Sequence, residues 1–307
     1  MRIVIAIGGN ALLECDRRPR AAIQRADAVR AAAALAPLAD EHEVVVAHGN
    51  GPRAGMPGST TADLPLDVLG AQAQGMIGYW LLQALQNALP GRPVATVLDQ
   101  TLVSLADPAF AAPATFVGPV YSREEAAALA AERGWSVAAD GASWRRVVPS
   151  PQPQRVVEAR VVRLLLGSGA VVVCGGGGVP VVRNESGRLT GVEAVVDRDL
   201  ATAVLAEELD ADALLMLTDV PAVQRRFGGP DPETILRASP AELRRESFAA
   251  GSMGPKVEAA CRFVELTGGL AGIGALADAP LLLAGKAGTV VTPGGDYGGP
   301  HDLRPPH

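Results

Sequence analysis

Three apolar runs, each ended by glycine, constrain the fold most strongly. Residues 2–7 run into Gly8-Gly9-Asn10, residues 43–47 run through His48 into Gly49-Asn50-Gly51, and residues 170–174 run into Gly175. Each run is rich in β-branched residues, and after the charged first residue of the first two runs the positions are apolar without polar alternation. That pattern is typical of strands buried on both faces, which occur in parallel sheets covered by helices.

Segments with helical spacing separate the strands. Helices are predicted over residues 20–40, 68–85, 156–166, 200–209 and 255–266, and further strands over residues 94–98 and 213–217 and as a last pair near Leu281 and Val290. This alternation predicts an α/β fold with an open, mainly parallel twisted sheet sandwiched by helices. Functional sites in such sheets lie at the carboxyl ends of the strands.

The chain is predicted to be one domain over residues 1–293. An acceptor and phosphate lobe would span about residues 1–168 and a nucleotide lobe about 169–293. Residues 107–151, with Pro108, Pro113, Pro119 and a short helix over 123–133, interrupt the alternation and are predicted to protrude as a small lid subdomain. Residues 294–307, rich in Gly and Pro, are expected to form a disordered tail.

Charge and composition exclude several classes of function. The chain has 27 basic and 33 acidic residues, which are intermixed, so a nucleic-acid partner is not expected. The distant cysteines Cys15, Cys174 and Cys261 favour neither disulfides nor a metal cluster. The first apolar run is too short for a signal sequence or a membrane span, so we expect a cytoplasmic protein that does not bind membranes.

The glycine-rich loops indicate a phosphate site. Glycine lets backbone N–H groups approach phosphate oxygens closely, and a helix that follows adds its positive N-terminal end. A fourth loop, residues 251–254, opens the helix that carries Lys256. Since neither a Walker A motif nor a kinase-type GxGxxG is present, another arrangement must hold the phosphates.

Lys256 is the strongest candidate for a catalytic cation. Arg supplies nearly all the positive charge of this chain, and the only lysines are Lys256 and Lys286. A lysine at a glycine-flanked helix start can stabilise a transferring phosphoryl group.

Asp197-Arg198-Asp199 opens the predicted helix over residues 200–209. One aspartate is explained as an N-terminal cap. The pattern leaves open whether Asp199 is a second cap or a catalytic group that orients cations or holds Mg²⁺.

Ordered stretches of sequence resemble carbamate kinase, within the amino-acid kinase family, along almost the whole chain before the tail. They are IAIGGNAL, VVVAHGNGP, PLDVLGAQAQGMIGYWL, DPAF, WRRVVPSPQP, GGGGVPVV, GVEAVVDRDLA, LTDV and GSMGPKVEAA. The resemblance implies a homodimeric enzyme with a small lid. Its reaction is the reversible phosphoryl transfer between ATP plus carbamate and ADP plus carbamoyl phosphate, with Mg²⁺.

The resemblance also implies residue roles. Asp199 would organise the catalytic cations and Lys256 would stabilise the transferring phosphoryl group. The carbamate and transferred-phosphate end would comprise Gly8, Gly9, Asn10, Gly49, Asn50 and Gly51. The nucleotide would be lined by Gly175, Gly176, Gly177, Gly178, Thr218, Asp219, Val220 and Met253.

Two departures from the family pattern concern lysines. Thr115 stands where the lid motif PTKPIGP has a lysine that contacts the acceptor phosphate, and Arg198 stands where VIDKD has one. Arg keeps the charge but has a larger, planar group. Either Arg53 or Arg145 substitutes for the missing lid cation, or the acceptor is another small carboxylate, carbamate or phosphonate. A third alternative is an adenine-nucleotide-binding protein without catalysis.

Overall fold

The central feature of the structure, a computed structural model that describes residues 1–8, 21–49, 64–229, 231–249 and 251–295, is an eight-stranded sheet. In spatial order its strands are β15 (Arg237–Ala238), β17 (Thr289–Val291), β16 (Leu270–Ala275), β12 (Ala213–Thr218), β1 (Arg2–Ile7), β2 (Glu43–His48), β9 (Val171–Gly175) and β3 (Val94–Val97). Adjacent strands run parallel except β16 and β17. The predicted fold class is confirmed.

The apolar central strands divide their side chains between two cores. In β1, Ile3, Ile5 and Ile7 face one core, and Val4 and Ala6 face the other. Helices α1 (Ala21–Glu41), α2 (Leu66–Ala88) and α8 (Ala279–Leu283) cover the isoleucine face, and α4 (Ala159–Gly167), α5 (Arg198–Glu208), α6 (Pro240–Leu243) and α7 (Met253–Thr267) cover the opposite face. Full burial of each such side chain stabilises the fold by about 1.5–3 kcal/mol, which explains why both faces of the run are apolar.

The glycine loops leave the sheet at one edge. The backbone N–H of Gly8 donates to Leu217 O at 2.8 Å, and that of Gly176 donates to His48 O at 2.8 Å. The N–H of Gly49 donates to Ile7 O at 3.4 Å. The ends of β12, β1, β2 and β9 therefore lie side by side, which is the arrangement expected for a site at the carboxyl edge of a parallel sheet.

Smaller sheets extend from this framework. One has the order β11 (Leu189–Gly191), β10 (Val179–Arg183), β4 (Gln100–Leu102) and β8 (Arg155–Val156), and β13 (Val223–Arg225) pairs with β14 (Glu233–Ile235). A three-stranded antiparallel sheet, here the outer sheet, has the order β5 (Thr115–Tyr121), β7 (Ser143–Val148) and β6 (Ser136–Asp140) and packs against α3 (Arg123–Arg133). The outer sheet lies within residues 107–151, which were expected to protrude. The lobe and lid boundaries stay a prediction.

Of two predictions near the C-terminus, the strand near Leu281 is wrong and the disordered tail falls mostly outside the described residues. The strand predicted near Leu281 is wrong, because Leu281 belongs to helix α8, whose first turn carries Pro280. Strand β16 was not predicted. The tail predicted over residues 294–307 lies outside the described residues except for Gly294 and Gly295. None of the helices that the structure describes is long and apolar enough to cross a membrane.

Candidate active site

The first turn of α5 places two charged side chains at the carboxyl edge of the sheet. Asp197 caps the helix, and its carboxylate accepts a hydrogen bond from Leu200 N at 3.0 Å. Arg198 and Asp199 follow within the first helical turn. Asp197 therefore satisfies the capping requirement by itself, and Asp199 is left for another role.

The candidate cluster consists of Arg198, Asp199 and Lys256. Lys256 lies in the first turn of α7, and its Nζ is 2.8 Å from Asp199 Oδ2. Arg198 Nη2 is 3.0 Å from Asp199 Oδ1, so one carboxylate binds both cations. Asp199 is 4% exposed and Lys256 7% exposed. Two cations share the Asp199 carboxylate at the N-terminal ends of two helices, and this positive potential favours a bound anion. The neighbouring Asp197 carboxylate, whose charge also acts on Lys256, offsets part of it.

Burial and neighbouring charges act in opposite directions on Asp199. Burial alone raises the pKa of Asp199, but the charges of Arg198 and Lys256 outweigh it and hold the pKa below its ordinary value. Burial also lowers the pKa of Lys256, the charge of Asp199 counteracts that effect, and the charge of Arg198 adds to it. The carboxylate is thus kept ionised, and it holds the two cations in place.

Two glycines make room for Arg198. A Cβ atom at Gly176 would lie 2.3 Å from Arg198 Cγ, and one at Gly49 would lie 2.6 Å from Arg198 Nη1. A Cβ at Gly177 would lie 2.8 Å from Val196 O. The Arg198 side chain therefore runs across the loop after β9 toward the loop after β2. The glycines are explained by close approach of a side chain as well as by the phosphate contacts that the sequence suggests.

The residues predicted to line the nucleotide are spread over three elements. Thr218 ends β12, next to β1 and Gly8, and its hydroxyl donates to Asp219 Oδ1 at 3.0 Å. Asp219 is exposed and Val220 is partly buried. Met253 begins α7, the helix of Lys256, and packs against the core on that side.

Thr115 occupies a different setting from the cluster. It begins β5 and pairs with Val148 in the outer sheet. This sheet is tied to the segment before Arg198, since Val195 N donates to Pro149 O at 3.0 Å and Val195 packs against Val117 and Val148. Thr115 therefore belongs to a sheet that contacts the site indirectly, through Val195 in the segment before Arg198.

Arg145 uses both terminal nitrogens inside the outer sheet. Its Nη1 lies 3.0 Å from Asp140 Oδ2, and its Nη2 donates to Gly118 O at 3.0 Å. The guanidinium lies 5.7 Å from the centre of the Phe116 ring. These contacts do not favour Arg145 as the substitute for the missing lid cation. Arg53, the other candidate, lies outside the described residues.

The structure places Gly49 and Gly176 against Arg198 of the candidate cluster. Gly8 and Thr218 lie on the same sheet edge. The other predicted acceptor residues, which are Gly9, Asn10, Asn50 and Gly51, lie outside the described residues.

Sequence reasoning missed two buried polar residues at this edge, His48 and Asp99. His48 ends β2, is 1% exposed, and its buried Nδ1 has no hydrogen-bond partner among the residues that the structure describes. Burial lowers the pKa of His48 to about 4, so the imidazole is neutral near pH 7. Asp99 follows β3 and is also 1% exposed. The only signal in the sequence is a polar residue closing an apolar run.

Among the described residues, no group of three or more acidic, histidine or cysteine side chains is arranged to hold a metal ion. Both carboxylate oxygens of Asp199 are already bound to cations, so Asp199 does not fit a direct Mg²⁺ ligand. Mg²⁺ commonly takes phosphate oxygens and water and needs few protein ligands. The site suits a metal that arrives with the nucleotide phosphates better than a resident one.

Comparison with known proteins identifies the family. The sequence model described as the amino acid kinase family matches residues 1–269. The chain is 49% identical to a carbamate kinase of Rhizobium meliloti over 95% of this chain and 93% of that protein. The chain belongs to the amino acid kinase family, among its carbamate kinases.

Other similarities agree with this assignment. The chain is 48% identical to a carbamate kinase of Haemophilus influenzae, over 95% of this chain and 97% of that protein. The structure of a carbamate kinase from Giardia lamblia bound to AMP-PNP superposes with a TM-score of 0.88 at 36% identity, over 95% of this chain and 98% of that one. The family expected from the sequence motifs is confirmed.

Proposed function

We propose that this protein is a carbamate kinase, which transfers a phosphoryl group reversibly between ATP plus carbamate and ADP plus carbamoyl phosphate. The observation that carries the proposal is the buried cluster of Arg198, Asp199 and Lys256 beside Gly49 and Gly176. Phosphoryl transfer needs fixed positive charge near the transferred group and little covalent chemistry from the protein. This cluster supplies two oriented cations.

In the direction of ATP formation, the bond between phosphorus and the carbamate oxygen breaks and a bond to a β-phosphate oxygen of ADP forms. We assign Lys256 and Arg198 to the negative charge on the transferring group and its neighbours, and Asp199 to holding both cations in position. Prearranged charges stabilise the transition state without reorganising during the reaction. Bound Mg²⁺ would neutralise nucleotide phosphate charge.

We further assign the acceptor end to Gly8, Gly9, Asn10, Gly49, Asn50, Gly51 and Thr115, and the nucleotide end to Gly175, Gly176, Gly177, Gly178, Thr218, Asp219, Val220 and Met253. The adjacency of strands β12, β1, β2 and β9 supports one continuous site for both. The outer sheet is proposed to act as a lid over the acceptor. A homodimer in the cytoplasm completes the proposal, and light scattering in solution measures the oligomeric state.

A coupled assay of ATP formation from ADP, Mg²⁺ and carbamoyl phosphate tests the activity. Acetyl phosphate serves as an alternative donor, and a phosphonate offered with ATP serves as an alternative acceptor in the reverse direction, because Thr115 makes the acceptor end less cationic than in the family pattern. We expect the highest kcat/KM with carbamoyl phosphate. Preference for another donor would move the assignment to a different small acid. Nucleotide binding without turnover of any donor would indicate a non-catalytic protein.

A further inference from the structure

Asp99 makes a buried contact with the four-glycine loop that the proposed mechanism does not use. Its carboxyl Oδ1 accepts a hydrogen bond from Gly175 N at 2.6 Å. Asp99 is 1% exposed and caps none of the described helices. Burial of a carboxyl group is costly, so its retention at this position calls for an explanation.

Two neighbours complete a clamp on the same side of the loop. The Gln74 side chain binds both backbone groups of Asp99, accepting from its N–H and donating to its C=O, each at 3.1 Å. Thr101 Oγ1 donates to Gly177 O at 2.9 Å. A Cβ at Gly175 would lie 2.4 Å from Gln74 Cδ, so the loop rests directly on the clamp. Asp99, Gln74 and Thr101 thus fix the backbone of residues 175–177 from one side.

The opposite side of the same loop supports the candidate catalytic cluster. A Cβ at Gly176 would lie 2.3 Å from Arg198 Cγ and 3.1 Å from Thr202 Oγ1. The loop backbone is therefore the layer between Asp99 and Arg198. A displacement of Gly175 moves the surface on which the Arg198 side chain lies.

We propose that Asp99 is a positioning residue for phosphoryl transfer, which holds Gly175 and Gly176 so that Arg198 stays beside Asp199. The inference rests on the proposed function, because turnover is one of its two readouts. Asp99 acts through the backbone of the loop, and it has no part in the reacting atoms.

The protonation of Asp99 gives the proposal an additional signature. Burial raises the pKa of Asp99 to about 8, the charge of Glu158 adds to the rise, and the Gly175 N–H opposes it. The other titratable neighbour is the thiol of Cys174, whose own pKa burial raises. A protonated carboxyl group still accepts through its carbonyl oxygen, so Asn is a close mimic of Asp99 at pH 7.

The sign of the pH effect on stability follows from the raised pKa. The folded state holds the proton of Asp99 more tightly than the unfolded state does. Its contribution to stability is complete below the unfolded value of 3.8 and is lost as the pH rises through about 8. Asp99→Asn removes this dependence, so its melting temperature should exceed that of wild type by more at pH 9 than at pH 6.

The experiment compares Asp99→Ala, Asp99→Asn and the matched control Asp212→Ala. Asp212 Oδ2 accepts a hydrogen bond from Arg2 N at 2.6 Å. This is also a contact between a carboxylate and a strand N–H, but it lies at the amino edge of the sheet, opposite the site. The readouts are kcat for ATP formation, measured on the folded fraction, and hydrogen exchange of residues 171–179.

We expect Asp99→Ala to lower kcat by tenfold to a hundredfold and to speed exchange of that segment. Asp99→Asn should stay within about threefold of wild type. The control should destabilise the protein, with kcat within about twofold and unchanged exchange at residues 171–179. If Asp99→Ala does not fold, Gln74→Leu, which removes both hydrogen bonds to the Asp99 backbone, takes its place.

Unchanged kcat in the folded Asp99→Ala or Gln74→Leu protein overturns the positioning role, and so does an equal loss in the Asp212→Ala control. If the wild type turns over no carbamoyl phosphate, the proposed function fails, and the catalytic part of this proposal fails with it. The exchange data then still decide whether Asp99 anchors the loop. The two failures are therefore distinguishable.

Discussion

The cluster at the carboxyl edge and the outer sheet both contain arginines paired with acids, but they use them differently. In the cluster, Arg198 and Lys256 share one buried carboxylate, so two cations outnumber the acid that they contact. In the outer sheet, Arg145 pairs with Asp140, and Arg146 pairs with Glu193 and lies over Trp135. These cations serve structural contacts, Arg145 within the outer sheet and Arg146 between the outer sheet and the segment before Arg198. Cations of the cluster remain available to a bound anion.

Asp199→Asn is expected to have the largest effect, because it removes the charge that holds two buried cations side by side. The two cations would repel each other without compensation. Breaking a buried ion pair by removal of one partner costs about 3–5 kcal/mol. We expect more than a hundredfold loss of activity and a clear fall in melting temperature.

The sequence alone suggests only a small stability change for this variant, since Asn can also cap a helix. Differential scanning calorimetry measures the melting temperature of Asp199→Asn, and the coupled assay measures its activity. A variant that melts like wild type and keeps its activity would remove the distinction between the cluster and the outer sheet. Asp140→Asn, which breaks the ion pair of Arg145, is the matched control, and we expect its activity to stay within about threefold.

Lys256→Ala is expected to lower kcat by about a hundredfold or more, with nucleotide affinity within about tenfold of wild type. Its charge matters most when charge develops on the transferring group. Steady-state kinetics and calorimetric titration with ADP give the two quantities. Equal losses in affinity and turnover would assign Lys256 to ground-state binding.

The pH dependence of the free energy of unfolding tests whether His48, at the same sheet edge as the cluster, is buried as a neutral imidazole. The pKa of His48 is lowered from 6.5 to about 4 by burial, so its contribution is present above pH 6.5 and is lost as the pH falls toward 4. The shift corresponds to about 3 kcal/mol in the free energy of unfolding. His48→Gln should remove this part of the dependence, measured by urea unfolding at pH 4–7. Parallel curves for both proteins would contradict a buried neutral imidazole.

Thr115→Lys is expected to have the smallest effect, a severalfold decrease in the KM for carbamoyl phosphate. The new lysine would place a cation on the outer sheet that is not already paired, and contacts between cations and phosphate are among the stronger hydrogen bonds. Steady-state kinetics with varied carbamoyl phosphate measures the change. An unchanged KM with lower activity would show that the lysine occupies space the acceptor needs.

Local signals predicted the elements that carry them. Helix α3 was predicted with its observed bounds, and the structure explains them, since Ser122 and Glu125 form a capping box and Gly134 follows the helix with a φ of 66°. Strand β16, LAGIGA, was missed because Ala and Gly give it little strand propensity. It is a strand because β12 and β17 pair with it on either side.

The residues of the site also differ in how far the sequence predicts them. Lys256 and the Asp-Arg-Asp triplet were visible in the sequence, and the structure brings them together. The contact between Asp99 and Gly175 joins residues 76 positions apart in the sequence, and no local pattern marks it. Distant contacts of this kind follow from strand order, which a single sequence does not specify.

The path of Arg198 between two glycines constrains those two positions to different degrees. At Gly49 the nearest atom to an added Cβ is Arg198 Nη1, at 2.6 Å, and the next is Cδ at 3.4 Å. Lysine has no counterpart of Nη1, so Arg198→Lys opens position 49 to alanine. At Gly176 the obstacle is Cγ, which both side chains possess. Because Nη1 is the far end of a flexible side chain, alanine at position 49 requires only that the guanidinium shift. Cγ lies next to the helix backbone and has no such freedom, so position 176 stays closed with either arginine or lysine at position 198.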